Sequence, residues 1–122
     1  MINNVEKFVY KYIEQCMKLC TKQGDYTAAN VKRHNKAMDT LAQYAEELAK
    51  TPELAQEVFS QLLVHESRAV RLSSAAKCLK YGFCNESAIE VLQVLGAGED
   101  MCAFSAEMTL KVWRGEVPGK KL

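Results

Sequence analysis

Residues 62–82 read LLVHESRAVRLSSAAKCLKYG. Leu62-Leu63-Val64 closes an apolar run, His65-Glu66-Ser67 forms a short polar link, and Arg68 to Tyr81 repeats apolar and small residues at helical steps until Gly82. A link this short between two helical stretches sends the second back antiparallel beside the first. Val70 and Leu79 have the bulk to fill a core. Ser74, Ala75 and Cys78 are small enough for neighbouring helices to come close, which close-packed interiors require. The stretch therefore predicts one helix pair.

The same punctuation continues on both sides. Glycine costs about 1 kcal/mol relative to alanine inside a helix and is cheap just past its end. Gly24, Gly82, Gly96, Gly98, Gly115 and Gly119 all fall where a helical rhythm breaks off. Pro52 follows Thr51, an N-cap residue with proline at the first helical position. No β-branched run alternates strictly, so no strand is expected. Six helices follow.

The first runs from about Asn4 to Thr21, with Val5, Phe8, Val9, Tyr12, Ile13, Cys16, Leu19 and Cys20 on one stripe. The second runs from about Thr27 to Lys50 along the seam His34, Met38, Leu41, Ala45 and Leu48. The third runs from Thr51-Pro52 to near Val64, lined by Leu54, Val58, Phe59, Leu62 and Leu63. The fourth covers Arg68 to Tyr81. The fifth is capped by Asn85, turns Ile89, Leu92 and Leu95 inward and closes at Gly96. The sixth starts near Glu99-Asp100, with Cys102, Ala106, Leu110 and Trp113 on one stripe and Phe104, Met108 and Val112 on the next.

Amphipathic pairs cannot bury their apolar faces alone, so the expected fold class is all-α, with about three antiparallel pairs stacked into a short superhelix. An irregular helical bundle is the competing arrangement. The expected organisation is one helical-repeat domain over residues 1–115 and a tail over 116–122. At 122 residues, 48% hydrophobic and 25% charged, the chain is long and apolar enough to hold its own core.

The stretch at 62–82 resembles a HEAT-type repeat: a leucine-rich first helix, a turn, then Val70-Arg71 followed by Ser74, Ala75, Cys78 and Leu79. It departs from that pattern at Ser74, where alanine is common, and in lacking Asp-Pro in the turn. With the closing stretch Ala106-Glu107-Met108-Thr109-Leu110-Lys111-Val112-Trp113-Arg114-Gly115, the chain resembles a family of small bacterial HEAT-like proteins of uncharacterised function. The resemblance implies a non-catalytic protein-binding module, an immunity protein that neutralises a cognate toxin, and it brings no catalytic residues.

Charge is distributed unevenly. Residues 1–36 carry seven Lys/Arg and three Asp/Glu, residues 37–67 one and six, and residues 68–122 eight and six. The acidic middle supplies Asp39, Gln43, Glu46, Glu47, Glu53 and Glu57 as a candidate surface for a basic partner protein, such as a toxin domain. The competing reading of this set is an ordinary solvated face. The basic start supplies Lys18, Lys22, Lys32, Arg33 and Lys36 as an alternative phosphate-binding face for nucleic acid. The near-zero overall charge and the lack of interleaved aromatics weigh against it.

No G-x-S-x-G, glycine-rich phosphate loop or H-E-x-x-H occurs, so no enzyme activity and no cofactor are expected. Cys16 and Cys20 lie four apart without further zinc ligands and read as small core residues, so no metal is expected. Cys84, in a link, is the thiol most open to reaction, against the favoured reading of an ordinary exposed cysteine. His34 reads as a half-buried seam residue and His65 as a turn residue bonded to backbone. Five cysteines without a C-x-x-C pair, no apolar run of membrane length and no signal-like start point to a cytoplasmic protein, monomeric or weakly dimeric.

Overall fold

A computed structural model describes the backbone of residues 4–19 and 28–122 and the side chains of residues 4–18 and 31–122. Among the described residues the chain is all helical: α1 (Asn4–Leu19), α2 (Ala28–Ala49), α3 (Pro52–Leu62), α4 (Arg68–Tyr81), α5 (Asn85–Gly96) and α6 (Met101–Trp113). Thr21, Lys22, Gly24 and Thr27, together with the side chains of Leu19 and Cys20, lie outside the described residues.

Helix α4 keeps the bounds its sequence predicts. Ser67 caps it, its hydroxyl accepting from the Val70 N–H at 3.4 Å. Gly82 ends it at φ 82°, a left-handed conformation that costs a side chain about 1–2 kcal/mol. Val70, Ser74, Ala75, Cys78 and Leu79 are all buried. Ser74 does not leave a bare hydroxyl in the core, because it donates to the Val70 carbonyl one turn back at 2.7 Å. The small residues have the expected consequence: α4 lies against α1, α3, α5 and α6. Helix α1 in turn touches α2, α3 and α4, so α1 and α4 form the spine.

Phe59 is the aromatic hub of the core. It is fully buried, meets Tyr12 edge-on at 5.9 Å and stacks on Phe83 at 6.0 Å. Tyr12 is also fully buried, and its hydroxyl bonds the Ser73 hydroxyl at 2.8 Å, tying α1 to α4. Burial drives the Tyr12 hydroxyl far above its ordinary titration range, so it stays neutral.

Four expectations need correction. In α2 the buried seam is Ala37, Leu41, Ala45 and Leu48, while Met38 is 45% exposed; His34 is half-buried, as its sequence position predicts. The apolar rhythm of α2 fits both registers, and the small Ala37 is the residue that fills the helix contact. In α6, Ala103 joins Ala106 and Leu110 in the core, Cys102 is half-buried and Trp113 is exposed; of the second stripe, Phe104 is exposed and Met108 and Val112 are half-buried, so that stripe does not lie between other elements. Asn85 is the first residue of α5 rather than its cap. Cys84 holds the cap position at φ 47°, without a side-chain capping bond. Phe83 is buried between Phe59 and Tyr81, and the left-handed residue directly follows it. Finally, Gly96 is the last residue of α5 with a right-handed backbone. A Cβ there would lie 3.7 Å from the Glu107 backbone nitrogen, an ordinary contact, so neither backbone conformation nor space demands glycine at this position. At Thr51 the cap position is correct but the hydroxyl makes no capping bond.

Candidate functional site

The two sides of α4 face different surroundings. At 3.6 residues per turn, Ala69, Leu72, Ser73 and Ala76 share a side that the core does not fully use. With α2 on one flank and α6 on the other, these residues floor an open groove of about 700 Å³. Met38 and His34 from α2 form one wall, and Met101, Cys102, Ser105 and Thr109 from α6 form the other. The floor leaves room above it, and the two methionines make the groove apolar and adaptable. Met101 is 73% exposed and Met38 45%, so both offer apolar surface at the groove walls.

The polar groups sit at its rim. Arg68 grips Asp100 with both terminal nitrogens, the second contact at 3.0 Å. Asp100 also caps α6 by accepting the Ala103 N–H at 2.9 Å. The Arg68 guanidinium, and then the Ala103 amide, hold the Asp100 carboxyl below its usual range. A group whose folded-state pKa is depressed contributes stability above its unfolded pKa and loses it as pH falls through the folded value. Acidification below the ordinary carboxylate range therefore frays the start of α6. Asp100→Ala does the same at neutral pH. Faster amide exchange at Ala103 and Phe104 with α3 unchanged is the expected reading, and unaltered exchange there contradicts the cap.

Since Arg68 and Asp100 cancel, Lys77 leaves the groove net positive. Burial lowers the Lys77 ammonium's proton affinity, the Lys80 charge adds to this, and Glu46 only partly offsets it. A half-buried cation with a depressed pKa gains from a carboxylate brought to it.

The acidic set predicted from sequence is exposed throughout but interleaved with cations. Asp39 lines a shallow depression with Lys32 and Lys36. Glu47 lines a cleft with Lys7 and Lys11. Glu46 acts on Lys77. Gln43 is an exposed residue of α2, and Glu53 and Glu57 occupy successive turns of α3. The basic set is brought together more closely: Lys18, Arg33 and Lys36 line one cleft of about 220 Å³ with Gln15 and Thr40 and no carboxylate. Lys32 sits in the neighbouring depression, and Lys22 lies outside the described residues.

His65 is a turn residue whose Nδ1 accepts the Ser67 N–H at 3.0 Å. Cys84 is half-buried rather than open, and burial pushes its thiol up. Cys78 is fully buried and pushed up to about 12. Thiolates are the reactive form, so neither cysteine is activated. Alkylation at neutral pH is expected to modify Cys84 more slowly than a free cysteine, and Cys78 only on unfolding. Mass spectrometry that finds Cys84 modified at the free-thiol rate would contradict its environment. Among the described residues no group of three His, Cys, Asp or Glu side chains is placed to hold a metal ion. No helix of the described residues is long and apolar enough to cross a membrane.

The groove was missed in the sequence because its walls come from three helices far apart in the chain. The available signals were the small residues on the second side of α4 and methionines at positions that fit either register. No family, curated protein or solved structure matches the chain in the comparisons made.

Proposed function

We propose that this protein is a non-catalytic interaction module whose groove between α2, α4 and α6 receives an amphipathic, acidic segment of a partner protein. The observation that carries this reading is the apolar groove itself, walled by the exposed Met38 and Met101 and bearing Lys77, whose charge Glu46 only partly offsets. Apolar anchors supply binding energy in such a site, and the charge sets orientation and partner choice. A helix laid into a groove is the mode this shape suits.

A short HEAT-like stack of three helix pairs is the arrangement we read into the six helices, with α2, α4 and α6 as the second helix of each pair. The resemblance at Val70-Arg71 and at the closing stretch of α6 supports it. The same resemblance supports a toxin as the partner and toxin neutralisation as the outcome. We place the contact in the groove rather than on the acidic middle, because Lys7, Lys11, Lys32, Lys36 and Lys77 dilute the acidic residues of α2.

The test compares two charge reversals in capture of the partner from native lysate. Lys77→Glu is expected to weaken capture, most at low salt, and Glu46→Lys with Glu47→Lys to leave it intact or stronger, since Glu46 partly offsets Lys77. The opposite pattern assigns the contact to the acidic face. A second reading, nucleic-acid binding, is favoured by Lys18, Arg33 and Lys36 sharing a cleft without a carboxylate. It requires steeply salt-dependent RNA or DNA binding, and an unshifted probe at low salt removes it.

A further inference from the structure

Arg71 faces away from the groove, on the roughly opposite side of α4. Its Nε is buried and has no hydrogen-bond partner among the described residues, and its guanidinium makes no ion pair there. A buried donor without an acceptor is rare, and an ordered water or a ligand is what completes it. Arg71 lines a second open cavity of about 510 Å³ between the α3–α4 turn and α5, within the size range of small-molecule sites. Leu63 and Val91 give that cavity an aliphatic side, and Glu66 and Glu90 bring two exposed carboxylates to it.

The charges define the ligand. An unpaired guanidinium fork suits a carboxylate held bidentately. A plain carboxylate would meet repulsion from Glu66 and Glu90, whereas an ammonium beside it turns that repulsion into attraction. We propose that this cavity binds a free α-amino acid with an aliphatic side chain. The carboxylate lies on Arg71, the ammonium faces Glu66 and Glu90, and the side chain lies against Leu63 and Val91. The site is independent of the groove and of the partner bound there.

The test is calorimetric titration and thermal unfolding of the full chain with L-leucine, 4-methylpentanoate and 3-methylbutylamine, the last two each lacking one charge. L-Leucine is expected to bind saturably and raise the melting temperature. Each analogue should bind about tenfold or more weakly, since each loses a charge-assisted contact. Arg71→Met should abolish binding while melting no earlier than the unliganded wild type, because it removes a donor that had no acceptor. Should that variant fail to fold, Glu90→Gln, at an exposed position, is expected to weaken L-leucine and leave 4-methylpentanoate unchanged or tighter. No saturable response to L-leucine, equal affinity for 4-methylpentanoate, or full binding by folded Arg71→Met overturns the proposal.

Discussion

Phe59→Ala is expected to cost about 3–5 kcal/mol of folding stability, the range for truncating a buried phenylalanine whose neighbours cannot collapse into the gap. Phe59 has no exposed surface, and rings on two sides are positioned by it: Tyr12 edge-on and Phe83 stacked. Tyr12 is held by Ser73 of α4, and Phe83 is held in the link by Tyr81. Neither ring can move into the cavity without breaking another contact. A domain of this size has about 5–15 kcal/mol in total, so the variant loses between about a fifth and all of its stability. Urea denaturation followed by circular dichroism measures the loss. A cost below about 1 kcal/mol would show that α1, α3 and the α4–α5 link are not joined through this ring.

The second large effect is on binding. Met38→Glu and Met101→Glu together are expected to abolish capture of the partner. Truncating or charging an anchor at the centre of an interface costs about 2 kcal/mol or more, about thirtyfold in affinity for each methionine. The glutamates would also repel an acidic segment. Both methionines are exposed, so folding stability should change by no more than about 0.5 kcal/mol. That contrast separates a binding defect from a folding defect. Val64→Glu serves as the control, since Val64 is 81% exposed and lines the cavity on the other side of α4. Capture that survives the methionine pair, or that is lost equally with the control, would remove the groove from the binding surface.

Legibility in the sequence followed the range of the forces involved. Helix α4 was readable because its cap at Ser67, its stop at Gly82 and its apolar rhythm are all local. The core of α3 was readable for the same reason, except for Ala55, which is buried but too small to mark a stripe. The register of α2 was not readable, because choosing Ala37 over Met38 depends on how closely α1 approaches. The left-handed Cys84 was hidden because it is not a glycine; it directly follows Phe83, which packs against a ring 24 residues upstream. The candidate site lay furthest from the sequence. Charge counts along the chain grouped Glu46 and Glu47 with Asp39, yet in three dimensions each faces a lysine from another segment or turn. The groove emerges only where side chains of α2, α4 and α6 line one cavity.

Hydrogen–deuterium exchange on the captured complex tests the groove most directly. Protection gained at residues 68–77 of α4 and 101–109 of α6, with the exposed side of α3 around Glu53 and Glu57 unchanged, is the predicted result. Protection confined to the α2 and α3 segments bearing Glu46, Glu47, Glu53 and Glu57, with α4 and α6 unaltered, would contradict it.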